Sequence, residues 1–181
     1  FTRWITHLCA PVFFLLTGVG AYLALRRRSP AGLSRFLLTR GLWLVLLEVT
    51  IMRFFWQFNV DYRVTMLTVL WALGWSMIAM AALVRLPVPA VTTIGIAMIA
   101  MHNLADSVSA ASFGALAPLW TILHQPGFLL ATERVSVFTA YPLIPWIGVM
   151  AVGFGLGPVY DWLPDARRRF LVRVGAALIG T

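Results

Sequence analysis

The sequence predicts an all-α fold, a polytopic bundle of transmembrane helices, from three observations. Of its 181 residues, 61% are hydrophobic and only 11% are charged, whereas a soluble domain has roughly 25% charged residues. The apolar residues form runs long enough to cross a bilayer. The arginines fall mainly between these runs. Because a soluble fold of this size could not bury so much apolar surface, a soluble enzyme, a disordered tail and a fibrous protein are excluded.

Five stretches have the length of about 20 mostly apolar residues that a membrane-crossing helix needs. They run near residues 5–25, 41–58, 64–84, 88–105 and 141–160, and a sixth begins near Phe170 and continues to residue 181. Helices are expected because lipid cannot satisfy an open backbone. The chain begins at Phe1 without an initiator Met and stops within an apolar run. We therefore expect a fragment, residues 1–181, of a single transmembrane domain.

The arginines predict the orientation of the bundle. All 14 basic residues are Arg, and if the first span ends in the cytoplasm, most of them lie on that side. The cytoplasmic set is Arg26, Arg27, Arg28, Arg35, Arg40, Arg85, Arg167, Arg168, Arg169 and Arg173. Arg3, Arg63 and Arg134 fall on the opposite side, and Arg53 lies within a span. Since topology explains the charge, no nucleic-acid partner is expected.

The longest connection, residues 107–140, lies on the non-cytoplasmic side. Residues 116–123 are too few to span, which favours a re-entrant or interfacial helix, and His124 is interpreted as interfacial. Pro142 and Pro145 open the fifth span and predict that this end lines a cavity, because prolines free backbone groups that must be satisfied inside the protein or by water. Four glycines of the same span predict close helix contacts: Gly148, Gly153, Gly155 and Gly157.

Ionisable residues inside spans are costly and usually face a cavity or a partner, so they are candidates for function. Glu48 and Arg53 share the second span. Five residues apart on an α-helix, they point about 140° away from each other, so each is expected to meet a partner on another helix. A structural ion pair and a role in binding substrate are both open interpretations.

His102 and Asp106 are four residues apart near the non-cytoplasmic end of the fourth span. This spacing places both on one helix face, where the carboxylate could hold one imidazole nitrogen while the other faces a cavity. That is the geometry of an oriented general base, and a satisfied polar helix end is the alternative. Asn103, on a neighbouring face, could donate a hydrogen bond to a carbonyl oxygen.

His7 and Arg3 lie one turn apart in the first span, also toward the non-cytoplasmic side. Together with His102, Asp106 and Arg53 they predict a pocket formed by three helices in that half of the bilayer. His102, Asp106 and His7 are therefore candidate catalytic residues. No metal is expected, because the single Cys9 excludes a cysteine cluster and no HExxH pattern is present.

Several segments together resemble the catalytic-domain family of heparan-alpha-glucosaminide N-acetyltransferases. These are residues 3–18, 36–41 with Glu48, 70–77, 102–106 and 141–150. The similarity covers nearly the whole chain. The active-site Asn and His of the family belong to a segment upstream of residues 3–18, so the candidates named above rest on position and spacing.

The resemblance implies a transmembrane acyltransferase of the bacterial inner membrane that moves an acetyl group from cytosolic acetyl-CoA to a sugar-like amine or hydroxyl acceptor across the bilayer. Arg35 and Arg40 could then bind the phosphates of coenzyme A. Asn103 or Arg53 could stabilise the oxyanion, and with Glu48 and Arg3 they are candidate substrate-binding residues. The expected partners are the lipid bilayer, acetyl-CoA and an acceptor, and homo-oligomerisation is left open. The alternative is a transporter that uses the same buried polar residues to bind a solute or a proton.

Overall fold

Helices dominate the fold, and a small sheet lies at one end of the helix bundle. The computed structural model describes the backbone of residues 2–179 and the side chains of residues 8–177, and 74% of the chain is helical. The helices are α1 (Thr2–Leu25), α2 (Pro30–Leu47), α3 (Arg53–Gln57), α4 (Val69–Leu83), α5 (Val88–His102), α6 (Ala117–Leu123), α7 (Leu143–Leu156) and α8 (Pro164–Ile179). The strands are β1 (Val64–Leu67), β2 (Gly127–Ala131) and β3 (Ser136–Thr139).

Three helical segments in the described part of the chain are long and apolar enough to cross a membrane: Leu8–Leu25, Val88–Ala105 and Leu143–Asp161. They correspond to the first, fourth and fifth predicted spans. The second and third of these segments extend α5 and α7 by the 3₁₀ turns Asn103–Ala105 and Gly157–Asp161. The full count of five spans and the start of a sixth stays a prediction.

The second predicted span, residues 41–58, belongs to a longer helical rod. The rod begins at Pro30, where the Ser29 side chain accepts a hydrogen bond from the Gly32 N–H at 3.1 Å and caps the helix. It continues from α2 through a π turn, Glu48–Met52, into α3 and ends at Phe58, whose φ is +49°. The prediction placed the start too late because hydropathy detects only the apolar part of a helix.

The third predicted span, residues 64–84, is not one helix. Its first residues form β1, and α4 begins only at Val69, after Thr68. The 15 residues of α4 rise about 22 Å, less than the roughly 30 Å hydrocarbon core of a bilayer. The prediction was wrong at this boundary because an apolar strand and an apolar helix have the same hydropathy.

The sixth predicted span also differs in its start. α8 begins at Pro164 rather than near Phe170, and its N-terminal half carries three of its four arginines. Trp162 packs against the Phe170 ring at 5.2 Å between centroids. With 16 residues and four arginines, α8 is not among the segments that meet the length and hydropathy requirements for a span.

Glycines set the closest helix contacts. α2 crosses α4 at Gly41 and Gly74, and α5 crosses α7 at Gly95 and Gly148. A Cβ atom at Gly95 would lie 2.8 Å from the Gly148 carbonyl oxygen, so only glycine permits this approach. The prediction from the fifth-span glycines is confirmed: Gly153 lies against Leu15 of α1, Gly155 against Thr92 and Gly157 against Tyr22. Large side chains fill the core between the crossings: Phe14, Leu33, Leu37, Met80, Met150 and Phe154.

The long connection folds into a short helix and a β-hairpin. The helix predicted at residues 116–123 is present as α6. The hairpin of β2 and β3, which the sequence analysis did not predict, pairs antiparallel, and β1 pairs in parallel with β3, from Val64 opposite Ser136 to Leu67 opposite Thr139. The sheet order is β1-β3-β2. β1 leads into α4 and β3 leads toward α7, so the sheet ties the N-terminal ends of these two helices together.

The two ends of the bundle differ in their side chains. At the basic end, Arg26 after α1 pairs with Asp161 after α7 at 2.6 Å, and Arg85 after α4 lies 3.4 Å from the Ser34 hydroxyl in α2. The histidine end carries the sheet, α6 and the C-terminal end of α5 with His102. This separation is the one that the arginine distribution predicts.

Candidate functional site

Two anchors bring His124 beside the end of α5. α6 ends at Leu123, and the His124 N–H donates to the Trp120 carbonyl at 2.8 Å. The Trp120 indole Nε1–H donates to the Val108 carbonyl at 3.1 Å, which fixes α6 against the segment that follows Asp106. The imidazole of His124 is therefore held by local backbone contacts over Asp106 and His102.

The histidine cluster consists of His102, Asp106 and His124. His124 Nε2 lies 3.1 Å from Asp106 Oδ1. The residue is only 4% exposed, while the Asp106 side chain is 62% exposed. The His102 and His124 rings approach to 4.3 Å between centroids. A buried imidazole bonded to a partly solvated carboxylate is the arrangement of a ring held in one orientation.

The expected pairing of Asp106 with His102 is replaced by a pairing with His124. After His102 the chain tightens into a 3₁₀ turn, Asn103–Ala105, in which residues three apart, rather than four, lie in line. Asp106 is thereby turned from the His102 face toward His124. His102 Nδ1 is buried and has no hydrogen-bond partner among the described residues.

Rings extend the cluster toward the surface. The His124 ring lies 4.7 Å from the Trp120 ring, and Phe113 stacks on Trp120 at 4.6 Å. This row of four rings, from His102 to Phe113, shields one side of the two imidazoles from water. His124, interpreted from the sequence as interfacial, is instead a buried member of the site. The residues around His124 in the sequence do not predict this role, because its partners lie in α5 and in the turn that follows α5.

The cluster borders a cavity of about 430 Å³ between α5, α6 and the start of α7. Apart from the two histidines its lining is apolar: Ile94, Ala97, Met98, Met101, Ala105, Trp120 and Ile144. Ile144 lies between Pro142 and Pro145, in agreement with the predicted cavity at this end of the fifth span. Asn103 is exposed and is not among the lining residues, and its predicted role stays a prediction.

Glu48 and Arg53 are both buried, 1% and 3% exposed, and each has its own partners, as the 140° argument predicts. A π turn, in which the Arg53 N–H donates to the Glu48 carbonyl five residues back, changes their relative direction from that on a regular α-helix. They do not pair with each other. Glu48 Oε1 accepts from the Thr68 N–H at 2.7 Å and from its hydroxyl at 2.5 Å.

Arg53 is held by the loop that follows α3. Its Nη1 donates to the Asn59 carbonyl at 2.5 Å, its Nη2 lies 3.4 Å from Asp61 Oδ1, and its guanidinium lies 4.3 Å from the Tyr62 ring centroid. These contacts give Arg53 a structural role, and a role in substrate binding stays a prediction. Arg3 and His7 lie outside the described side chains.

A second cavity, of about 970 Å³, lies at the basic end. It is lined by Leu23, Ala24, Arg26, Arg27, Arg28 and Phe36. The Arg28 guanidinium lies 4.5 Å from the Phe36 ring centroid, and that of Arg40 lies 5.4 Å from it. Arg35 is exposed and does not line this cavity. The guanidinium groups at this site can form paired hydrogen bonds with phosphate oxygens.

The histidine cluster also has the donor atoms of a metal site. One ligand atom from each of His102, Asp106 and His124 lies within 4.8 Å of the other two. Two imidazoles and a carboxylate are ligands that Zn²⁺ and similar ions prefer. The sequence analysis expected no metal from the single cysteine and the lack of an HExxH pattern, and it did not place His124 beside the other two residues.

These features define an integral membrane protein with two polar sites. A histidine–carboxylate cluster lies at one end of the apolar helices, and a basic cavity lies at the other. The family model described as "Heparan-alpha-glucosaminide N-acetyltransferase, catalytic" matches residues 1–177. The chain belongs to this family, as its segments suggest, and its function is therefore membrane acetyltransferase-like. No curated protein and no solved structure shows significant similarity to it.

Proposed function

We propose that this protein is an acetyltransferase of the bacterial inner membrane. It takes an acetyl group from cytosolic acetyl-CoA at the basic end and transfers it to an amine or hydroxyl of a sugar-like acceptor at the histidine end. One observation carries the proposal: in a member of this acetyltransferase family, two adjacent imidazoles, one of them bonded to a carboxylate, border a cavity of about 430 Å³. Asp165→Asn, on the exposed surface of α8, is a suitable control variant for the tests below.

His102 is the proposed general base. It lines the cavity, and its Nδ1 is without a hydrogen-bond partner among the described residues. The base takes the proton of the acceptor N–H or O–H while the nitrogen or oxygen attacks the thioester carbonyl carbon. The carbon–sulfur bond then breaks, and the thiolate of coenzyme A leaves with the electron pair. The acceptor gains the acetyl group, so atoms and charge balance.

His124 and Asp106 are the proposed positioning residues. His124 is held at its Nε2 by Asp106 at 3.1 Å and packs 4.3 Å from the His102 ring. The ring contact restricts the orientation of His102, and the carboxylate balances the positive charge that forms on the imidazoles during proton transfer.

The basic end fits the donor. When bound, acetyl-CoA supplies an activated acetyl thioester, and guanidinium groups match its phosphate oxygens in charge and geometry. The cavity lined by Arg26, Arg27 and Arg28 offers three such groups. Arg40 lies over Phe36 of the same cavity, and with Arg35 it remains a proposed contact to the donor. Between the two ends, α5, with 15 residues, spans about 22 Å, so the thioester arm of a donor whose phosphates lie at the basic end must extend about that far along the bundle to reach the acceptor.

The test is transfer of radiolabelled acetyl from acetyl-CoA to glucosamine, which offers both an amine and hydroxyls, by the purified full-length protein in detergent. His102→Ala is expected to lower kcat by about 10²- to 10⁴-fold, with the protein still inserted and folded. His124→Phe keeps a ring against His102 but loses the bond to Asp106, so a smaller fall in kcat is expected, with KM little changed.

Asp165→Asn is expected to retain full activity. Normal turnover by His102→Ala would remove His102 from the mechanism. Absence of acetyl transfer by the unmodified protein, combined with solute flux in proteoliposomes that follows a proton gradient, would overturn the proposal in favour of a transporter.

A further inference from the structure

The histidine cluster has a geometry that proton transfer alone does not require. A general base needs one imidazole and one orienting group, whereas here a second imidazole lies 4.3 Å from the first and three donor atoms of three residues lie within 4.8 Å of one another. His102 Nδ1 is buried without a partner among the described residues. A buried polar atom without a partner costs free energy unless something binds it.

The donor set and its separations suit a divalent transition metal. A tetrahedral Zn²⁺ ion binds nitrogen and oxygen at about 2.0–2.2 Å, which places neighbouring donor atoms roughly 3.3 Å apart. The His124 Nε2 to Asp106 Oδ1 distance of 3.1 Å already meets this requirement. The third donor, from His102, lies within 4.8 Å, and rotation of its side chain at the end of α5 can close the gap.

The surroundings also favour a metal. The His124 ring is fixed on its outer side by Trp120, whose indole is anchored on the Val108 carbonyl, and rigid support of this kind orients a ligand. Asp106 is 62% exposed, which provides an entry path from solvent. The cavity on the inner side leaves room for a fourth ligand, such as water.

We propose that His102, Asp106 and His124 bind one Zn²⁺-like ion per chain, and that the bound ion inhibits acetyl transfer. The binding rests on geometry alone. The inhibition rests on the proposed function: the ion occupies the imidazole lone pair that accepts the acceptor proton, so a metal-bound His102 cannot act as the base.

Binding is tested on the purified full-length protein after EDTA treatment and dialysis. Isothermal titration with Zn²⁺ and metal analysis by mass spectrometry are expected to give one ion per chain. His102→Ala and His124→Ala each remove a ligand and are expected to weaken binding at least tenfold, and Asp106→Asn to weaken it by a similar factor. Co²⁺ in place of Zn²⁺ is expected to give the visible spectrum of a four-coordinate site, which the two histidine variants lose.

Two control variants separate this site from other ligands. Cys9→Ser removes the exposed thiol, and Asp165→Asn removes an exposed carboxylate, and both are expected to bind Zn²⁺ like the unmodified protein. The assignment of the site would be overturned if His102→Ala and His124→Ala bound Zn²⁺ as tightly as the unmodified protein does. Loss of binding in Cys9→Ser would overturn it as well.

Inhibition is tested separately with the glucosamine assay. Zn²⁺ is expected to reduce acetyl transfer at the concentration that fills the site, and EDTA to restore it. Full activity with the site filled would refute the inhibitory role while leaving the site in place. Stoichiometric binding that depends on the histidines, in a protein without acetyl transfer, would confirm the site and refute the proposed function instead.

Discussion

The crossing of α2 and α4 gives the sharpest test of the packing. Gly41→Ala places a Cβ atom 2.5 Å from the Gly74 carbonyl oxygen and 2.8 Å from Ile78 Cγ1. The nearest of these atoms belongs to the backbone, so the clash cannot be relieved by rotating a side chain, and the helices must separate. Because the Gly74 backbone approaches Gly41 in the same way, with a Cβ at Gly74 only 2.7 Å from the Gly41 oxygen, separation also loosens the second contact.

The expected cost follows from overpacking. Forcing an extra methyl group into a packed interface costs about 1–3 kcal/mol, which lowers Tm by roughly 2–12 °C for a chain of this size. Gly20→Ala is the matched control. A Cβ at Gly20 of α1 meets nothing within 4 Å, and alanine is favoured over glycine in a helix by about 1 kcal/mol. Replacing glycine by alanine is therefore expected to lower Tm at Gly41 and to leave it unchanged or raise it at Gly20.

Thermal unfolding in detergent, followed by circular dichroism at 222 nm, measures both variants. Gly41→Ala is expected to melt below the unmodified protein, and Gly20→Ala at or above it. If Gly41→Ala melts at the same temperature as Gly20→Ala, then α2 and α4 do not cross at these glycines, and the packing described above is incorrect.

Two further predictions address the buried carboxylate and the orientation. Glu48→Ala removes the acceptor of two hydrogen bonds from Thr68 and is expected to lower the free energy of unfolding by about 1–3 kcal/mol. Glu48→Gln keeps an acceptor oxygen, so a smaller loss is expected. Equal free energies of unfolding of the two variants in urea would contradict this reasoning. In a Cys9→Ser background, a membrane-impermeant thiol reagent added to intact cells is expected to label Leu104→Cys and to leave Arg27→Cys unlabelled, and the reverse pattern would invert the orientation.

Hydropathy and charge were sufficient to predict three of the spans and the placement of the arginines. Both features depend on whether a residue lies in lipid or in water, and not on its tertiary contacts. The π turn and β1 could not be predicted in this way. The burial of Glu48 depends on Thr68, at the start of another helix, and β1 depends on β3, whose residues lie far along the chain. Neither partner can be recognised from the residues next to Glu48 or β1 in the sequence.

The candidate site was also predicted only in part from the sequence. The spacing of His102 and Asp106 correctly placed a histidine and a carboxylate together at the end of α5. Their pairing was wrong because the switch from α-helix to 3₁₀ turn after His102 changes which residues lie in line. His124 was missed because its position depends on the anchoring of Trp120 on Val108, a tertiary contact.

The parallel pairing of β1 with β3 sets the order in which the chain can assemble. β1 is synthesised before α4 and α5, and its partner Ser136–Thr139 only after them. Until then the edge of β1 has no strand to bond to. Closure of the sheet must therefore wait for synthesis of the hairpin, and the pocket beside α6 takes its final shape late in biogenesis.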